Sequence, residues 1–77
     1  MSKLPTVTGN QAIAAFTKDG WVVKRIKSSH HIMKKPGHQY LLTVPLHSGK
    51  NLKPGTLRSL IHNADMTVAR FVALLDD

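Results

Sequence analysis

The 77-residue sequence contains no cysteine, so a disulfide framework and thiolate metal sites are excluded. Small secreted domains usually depend on disulfides, and their absence therefore favours a reducing compartment such as the cytoplasm. No apolar run approaches the roughly 20 residues that span a bilayer. The segment MSKLPTVTGN also lacks the apolar core of a signal peptide. We expect a cytoplasmic protein with no membrane contact.

Acidic residues are scarce as well. Four Asp and Glu residues stand against eleven Lys and Arg residues, which gives a net charge of +7. Such a balance indicates a polyanionic partner, namely nucleic acid, an anionic membrane surface or an acidic protein. The length fits a single domain over residues 1–77. We expect residues 1–6 to be flexible.

Hydrophobic periodicity and turn signals divide the chain into six elements. Thr8 and Gln11 have the spacing of a capping box, and the first helix should stop at Asp19-Gly20. Pro45 cannot donate to a ladder, so the end of the last strand should lie at a sheet edge or leave the sheet. The remaining predicted elements are strands over 21–26, 31–35 and 40–46 and helices over 56–64 and from about 67.

This order predicts an α+β fold, α-β-β-β-α with a short extra C-terminal helix. A three-stranded antiparallel sheet with its helices on one face buries such a pattern, an architecture shared with double-stranded RNA-binding domains. Trp21, Phe16 and Phe71 are expected in the core. Tyr40 is expected to be buried with its hydroxyl at the rim.

The stretch KSSHHIMKKP places two adjacent histidines among lysines. Neighbouring side chains on a strand point to opposite faces, so His30 and His31 should not serve one site. Their spacing does not suit zinc, and no carboxylate lies near them in sequence. We expect neither a metal site nor a cofactor.

Histidine has an unperturbed pKa near 6.5 and suits general acid–base catalysis near neutral pH. Cleavage of an RNA phosphodiester needs a base, an acid and cations for the developing charge. Plain phosphate contact by a solvated basic surface is the alternative interpretation. The cations that could hold phosphate beside the histidines are Lys24, Arg25, Lys27 and Lys34.

A second basic segment precedes the second helix. Lys50 and Lys53 lie close to Gly55-Thr56, where a helix is expected to begin. Backbone N–H groups at a helix N-terminus attract anions. This end could therefore face phosphate, although a solvated loop explains the same residues.

Five short motifs follow one another along the chain. They are Gly20-Trp21, Arg25 in the first strand, Ser28-Ser29-His30-His31, Val44-Pro45-Leu46-His47 and Gly55-Thr56-Leu57. Together they resemble the HicA family of toxin mRNA interferases from bacterial HicA–HicB toxin–antitoxin modules, in which the third is a Gly-Ser-x-His motif and the fourth a VP.H element. The resemblance covers nearly the whole chain from Thr8-Gly9 onward.

The resemblance implies that His31 is the essential histidine and that Ser29 is the motif serine. Ser28 stands where the family pattern has Gly, and serine tolerates a positive φ less well than glycine does. Asp65 replaces another common Gly, after the second helix. The second proton-transfer group stays open between His47, Lys27 and water.

The same resemblance implies an endoribonuclease that acts on mRNA and is neutralised by a HicB antitoxin covering the active site. Two alternatives come from other classes. One is a non-catalytic RNA-binding module that has kept the fold, and the other is a basic interaction protein whose partner is acidic.

Overall fold

A computed structural model describes residues 3–76. Its elements follow the order α1 (Gly9–Lys18), β1 (Val22–Lys27), β2 (His30–Lys34), β3 (Leu42–Pro45), α2 (Pro54–Asn63) and α3 (Val68–Asp76). The strands form one antiparallel sheet in the order β1-β2-β3. The predicted α+β class and element order are confirmed. Within residues 3–76, no helix has the length and apolar character needed to cross a membrane.

Local chemistry sets both ends of α1. The Gln11 backbone N–H donates to Thr8 Oγ1 at 3.2 Å, and the Thr8 N–H donates to Gln11 Oε1 at 2.8 Å, which completes the predicted capping box. The helix ends at Lys18, with Asp19 as its C-cap, and Gly20 follows with a φ of +104° in the left-handed region, so the stop predicted at Asp19-Gly20 is confirmed.

The core lies between one face of the sheet and the three helices. Met33, Leu42 and Val44 project from the strands and are fully buried. Phe16 of α1 packs against Phe71 of α3 with ring centroids 5.2 Å apart. The helical residues that complete the core are Ala12, Ala15, Leu57, Leu60, Ile61 and Leu74.

Trp21 is buried, as predicted, and its ring lies 5.1 Å from that of His38 in a tilted contact. Tyr40 contradicts its prediction, because it is 59% exposed and precedes β3 instead of beginning it. The alternation of apolar residues over 40–46 is longer than the segment that actually pairs with β2, so the first apolar positions fall outside the sheet.

Several predicted boundaries move by one or two residues. β1 includes Lys27, so the turn consists of Ser28 and Ser29 alone, and β2 begins one residue early at His30. α2 begins at Pro54, because proline is well suited to the first helical position. Leu4 packs against the core, and the flexibility expected of residues 1 and 2 lies outside the described residues.

Candidate active site and the two faces of the sheet

His30 and His31 lie on opposite faces of the sheet. His31 pairs with Val44, and His30 pairs with Pro45. Directly paired residues of an antiparallel ladder share a face, so His31 lies on the helix-covered face with the buried Val44. His30 projects from the other face, and the predicted separation of the two side chains is confirmed.

His31 occupies the margin of the covered face. Its side chain is half-buried, while Ile26, its partner on β1, is 60% exposed. The helical cover therefore ends at about this point of the β1–β2 hairpin. Nδ1 of His31 is buried and has no hydrogen-bond partner within the described residues, a property that it shares with Nε1 of the core residue Trp21. A buried polar nitrogen left unpaired is costly, so its presence calls for an explanation, and a role in catalysis is one such explanation.

A two-residue turn holds the tip of this hairpin. Lys27 pairs with His30, and Ser28 has a φ of +55°. The backbone N–H of Leu46 donates to the Ser29 carbonyl oxygen at 2.6 Å, which ties the turn to the end of β3. Ser28 thus occupies the left-handed conformation for which the resemblance predicts Gly, and Asp65, with φ +58°, does the same after α2.

A β-bulge between Val23 and Arg25 decides where the cations of β1 project. Val22 pairs with Lys34, and Arg25 pairs with Ile32, while the extra residue Lys24 lines a groove with Val22 and Lys34. We call this uncovered side of the sheet the open face. Its residues are Val22, Lys24, Arg25, Lys27, His30, Ile32, Lys34 and Thr43.

The structure therefore does not bring the four predicted phosphate-holding cations together with His31. Lys24, Arg25, Lys27 and Lys34 all belong to the open face, whereas His31 belongs to the covered one. Plain alternation along β1 would have placed Lys24 and Arg25 on opposite sides. The extra residue of the bulge removes that alternation.

His47, Lys50 and Lys53 do come together. They line a cleft of about 430 Å³ between the end of β3 and the start of α2, along with Thr56 of the first turn. Lys53 is the N-cap residue and makes no side-chain capping bond, and the first turn of α2 contains no acidic residue. The dipole and free N–H groups of this helix end favour an anion.

The start of α1 lies beside the same loop, which the sequence did not reveal. Gly9 and Asn10 line a neighbouring cleft with His47, and a β-bridge joins Thr8 to Asn51. The capping box located this helix end along the chain, but only the tertiary pairing shows that it adjoins α2. Among residues 3–76, no three His, Asp or Glu side chains lie close enough together to hold a metal ion.

The comparisons with known proteins give one family. Residues 9–66 match the family described as "HicA toxin of bacterial toxin-antitoxin". The matched region runs from the first residue of α1 to the segment just before α3 and so contains the whole sheet, His31 and the cleft beside α2. No curated protein matches the chain.

Proposed function

Because the chain belongs to the HicA toxin family of bacterial toxin–antitoxin systems, we propose that it is an endoribonuclease toxin that cleaves mRNA. His31 transfers the proton, no metal ion takes part, and a HicB-type antitoxin neutralises the activity. Family membership supports the toxin role and a cognate antitoxin. The unpaired Nδ1 of the half-buried His31 is the observation that carries the assignment of the histidine.

The proposed reaction is an internal transesterification. A base removes the proton of the ribose 2′-hydroxyl, and the resulting oxygen attacks the adjacent phosphorus. The bond from phosphorus to the 5′-oxygen then breaks, and an acid gives that oxygen its proton. One imidazole can perform either proton transfer, since its neutral and protonated forms are both accessible near neutral pH.

The second proton-transfer group is proposed to be His47. It belongs to the loop that follows β3, three residues beyond Val44, the cross-strand partner of His31. Lys27, the other side chain that the sequence left open, projects from the open face instead. Water at the margin of the covered face is the remaining possibility.

RNA is proposed to run from His31 past His47 into the cleft beside α2. Lys50 and Lys53 hold the phosphates there, together with the N–H groups at the start of the helix. Ser29 keeps the hairpin tip in place through its carbonyl bond to Leu46. Contact of RNA with Lys24, Arg25, Lys27 and Lys34 stays a prediction. RNA bound by these cations would lie on the open face, on the opposite side of the sheet from His31.

The deciding experiment compares His31→Ala with His30→Ala, an adjacent and chemically identical change on the opposite face. We expect His31→Ala to abolish RNA cleavage by the purified chain and growth arrest on induction in cells. His30→Ala should retain most of both activities. Equal toxicity of wild type and His31→Ala would refute the role of His31.

A non-catalytic RNA-binding module is the second proposal, and the residue that favours it is Ser28. A serine at positive φ strains the turn that presents the histidine motif. This proposal expects the partner-free chain to bind RNA without cleaving it at any pH. It also expects His31→Ala to leave that binding unchanged.

A further inference from the structure

The open face combines positive charge with exposed apolar surface. Val22 is 55% exposed, and Ile32 at its centre is only half-buried. Two shallow grooves cross it, one beside Val22, Lys24 and Lys34 and the other beside Lys27, His30 and Thr43. No helix covers this side, because the described core lies entirely on the other side of the sheet.

The cations of the open face have no acidic counterpart within residues 3–76. The ion pairs within the described part of the chain join Lys35 and Arg70 to Asp19, and His38 to Asp65. None uses Lys24, Arg25, Lys27 or Lys34. The positive charge is therefore available to a partner, and like charges gathered on one sheet face repel one another until a partner offsets them.

We propose that the open face is the main anchoring surface for the antitoxin, an acidic protein that places carboxylates over these cations and apolar side chains over Val22 and Ile32. This inference rests on the proposed function. It adds to the expected covering of the active site, because His31 lies on the opposite face. The partner would then bind the open face and extend around the tip of the β1–β2 hairpin to cover His31 on the other face.

The mixed character of the surface favours an acidic protein over other occupants. Exposed Val22 and half-buried Ile32 contribute nothing to a phosphate backbone. The open face offers no Phe, Tyr or Trp ring on which a base could stack, and the imidazole of His30 is its one ring among the described residues. A second copy of this chain is disfavoured, because it would bring two strongly basic surfaces together.

The test uses one double variant of the open face and one matched control. Val22→Glu/Thr43→Glu adds two negative charges to exposed positions of the open face. The control Ala69→Glu/Ala73→Glu adds two negative charges to exposed positions of α3, which packs against α1 on the helical side of the fold. The probe is the purified protein encoded by the reading frame adjacent to this gene. Affinity is measured by calorimetry, and folding is checked by circular dichroism.

We expect the Val22→Glu/Thr43→Glu double variant to lose affinity by about tenfold or more, as when a central interface residue is replaced. Ala69→Glu/Ala73→Glu should lose far less. The double variant should still cleave RNA, and co-expression of the adjacent gene should no longer rescue growth.

Two results would overturn the proposal. They are unchanged affinity of the double variant and an equal or greater loss of affinity with Ala69→Glu/Ala73→Glu. Unchanged affinity together with abolished RNA cleavage would assign the open face to RNA. Failure of the proposed function looks different, since the wild-type chain itself would then neither cleave RNA nor arrest growth.

Discussion

The carbonyl oxygen of Pro45 lies so close to Gly9 that a Cβ atom on residue 9 would be 2.7 Å from this oxygen. The same Cβ would lie 2.7 Å from Cδ1 of Leu46. A backbone oxygen cannot move aside as the end of a flexible side chain can. The first residue of α1 must therefore be glycine for the helix to approach the end of β3, where the loop bearing His47 begins.

Gly9→Ala should accordingly destabilise the fold by about 1–3 kcal/mol, the usual cost of an overpacked position. Gly55→Ala is the matched control, because a Cβ at this helical position meets nothing within 4 Å. It should stabilise the chain by about 0.5–1 kcal/mol, since alanine favours helix over glycine. Urea unfolding of both variants measures the difference, and similar stabilities would contradict the close approach.

Ser28→Gly should stabilise the hairpin by about 0.5–1 kcal/mol, because glycine takes a φ of +55° without the strain that serine suffers. The gain is partial, since glycine also gives the unfolded chain more freedom. Ser29→Gly, one residue away and without a positive φ, should instead cost about that amount. The measurement is thermal unfolding, and a destabilised Ser28→Gly variant would contradict the argument.

Asp19 joins the end of α1 to two other parts of the fold. Its carboxylate lies 3.2 Å from Nζ of Lys35 and 3.7 Å from Nη2 of Arg70, and the side chain is only 17% exposed. Asp19→Asn should cost about 1 kcal/mol, with the difference shrinking at high salt. Asp65→Asn is the control. The Asp65 side chain is 82% exposed, and its Oδ2 lies 3.7 Å from Nδ1 of His38. Asparagine also accepts the positive φ of this position. This variant should be nearly neutral in denaturant unfolding.

Lys50→Gln/Lys53→Gln should weaken RNA binding and flatten its salt dependence. Removing one bound phosphate reduces the slope of log affinity against log salt by about 0.7 for single strands. Lys3→Gln/Arg58→Gln removes the same charge outside the residues that line this cleft and should leave the slope closer to wild type. Fluorescence titrations of a labelled RNA at several salt concentrations provide the measurement, and equal slopes would refute the proposed path.

Local signals predicted the elements well, because their causes are local. The capping box at Thr8 and Gln11, the stop at Gly20 and the burial of Trp21 follow from neighbouring residues. The separation of His30 and His31 follows from strand geometry alone. The positive φ of Ser28 agrees with the glycine expected there, although only the family pattern pointed to it.

The composition of the site was harder to predict, because it depends on pairing between distant segments. The bulge at Lys24 exists only with respect to the register of β2, and it moves Arg25 and Lys27 away from His31. The bridge from Thr8 to Asn51 likewise brings the start of α1 to the basic cleft without a local signal. The predicted burial of Tyr40 was wrong for the same reason, since its exposure depends on where the pairing of β3 with β2 begins.

The bulge also bears on how fast a partner can be captured. A regular six-residue strand gives three side chains to each face, whereas β1 gives the open face Val22, Lys24, Arg25 and Lys27. The extra residue concentrates three cations along one short strand, and such a local potential accelerates encounter with an oppositely charged protein. An oppositely charged partner would then bind this face faster than it would bind a regular strand with fewer cations on one side, and the rate would fall as ionic strength rises.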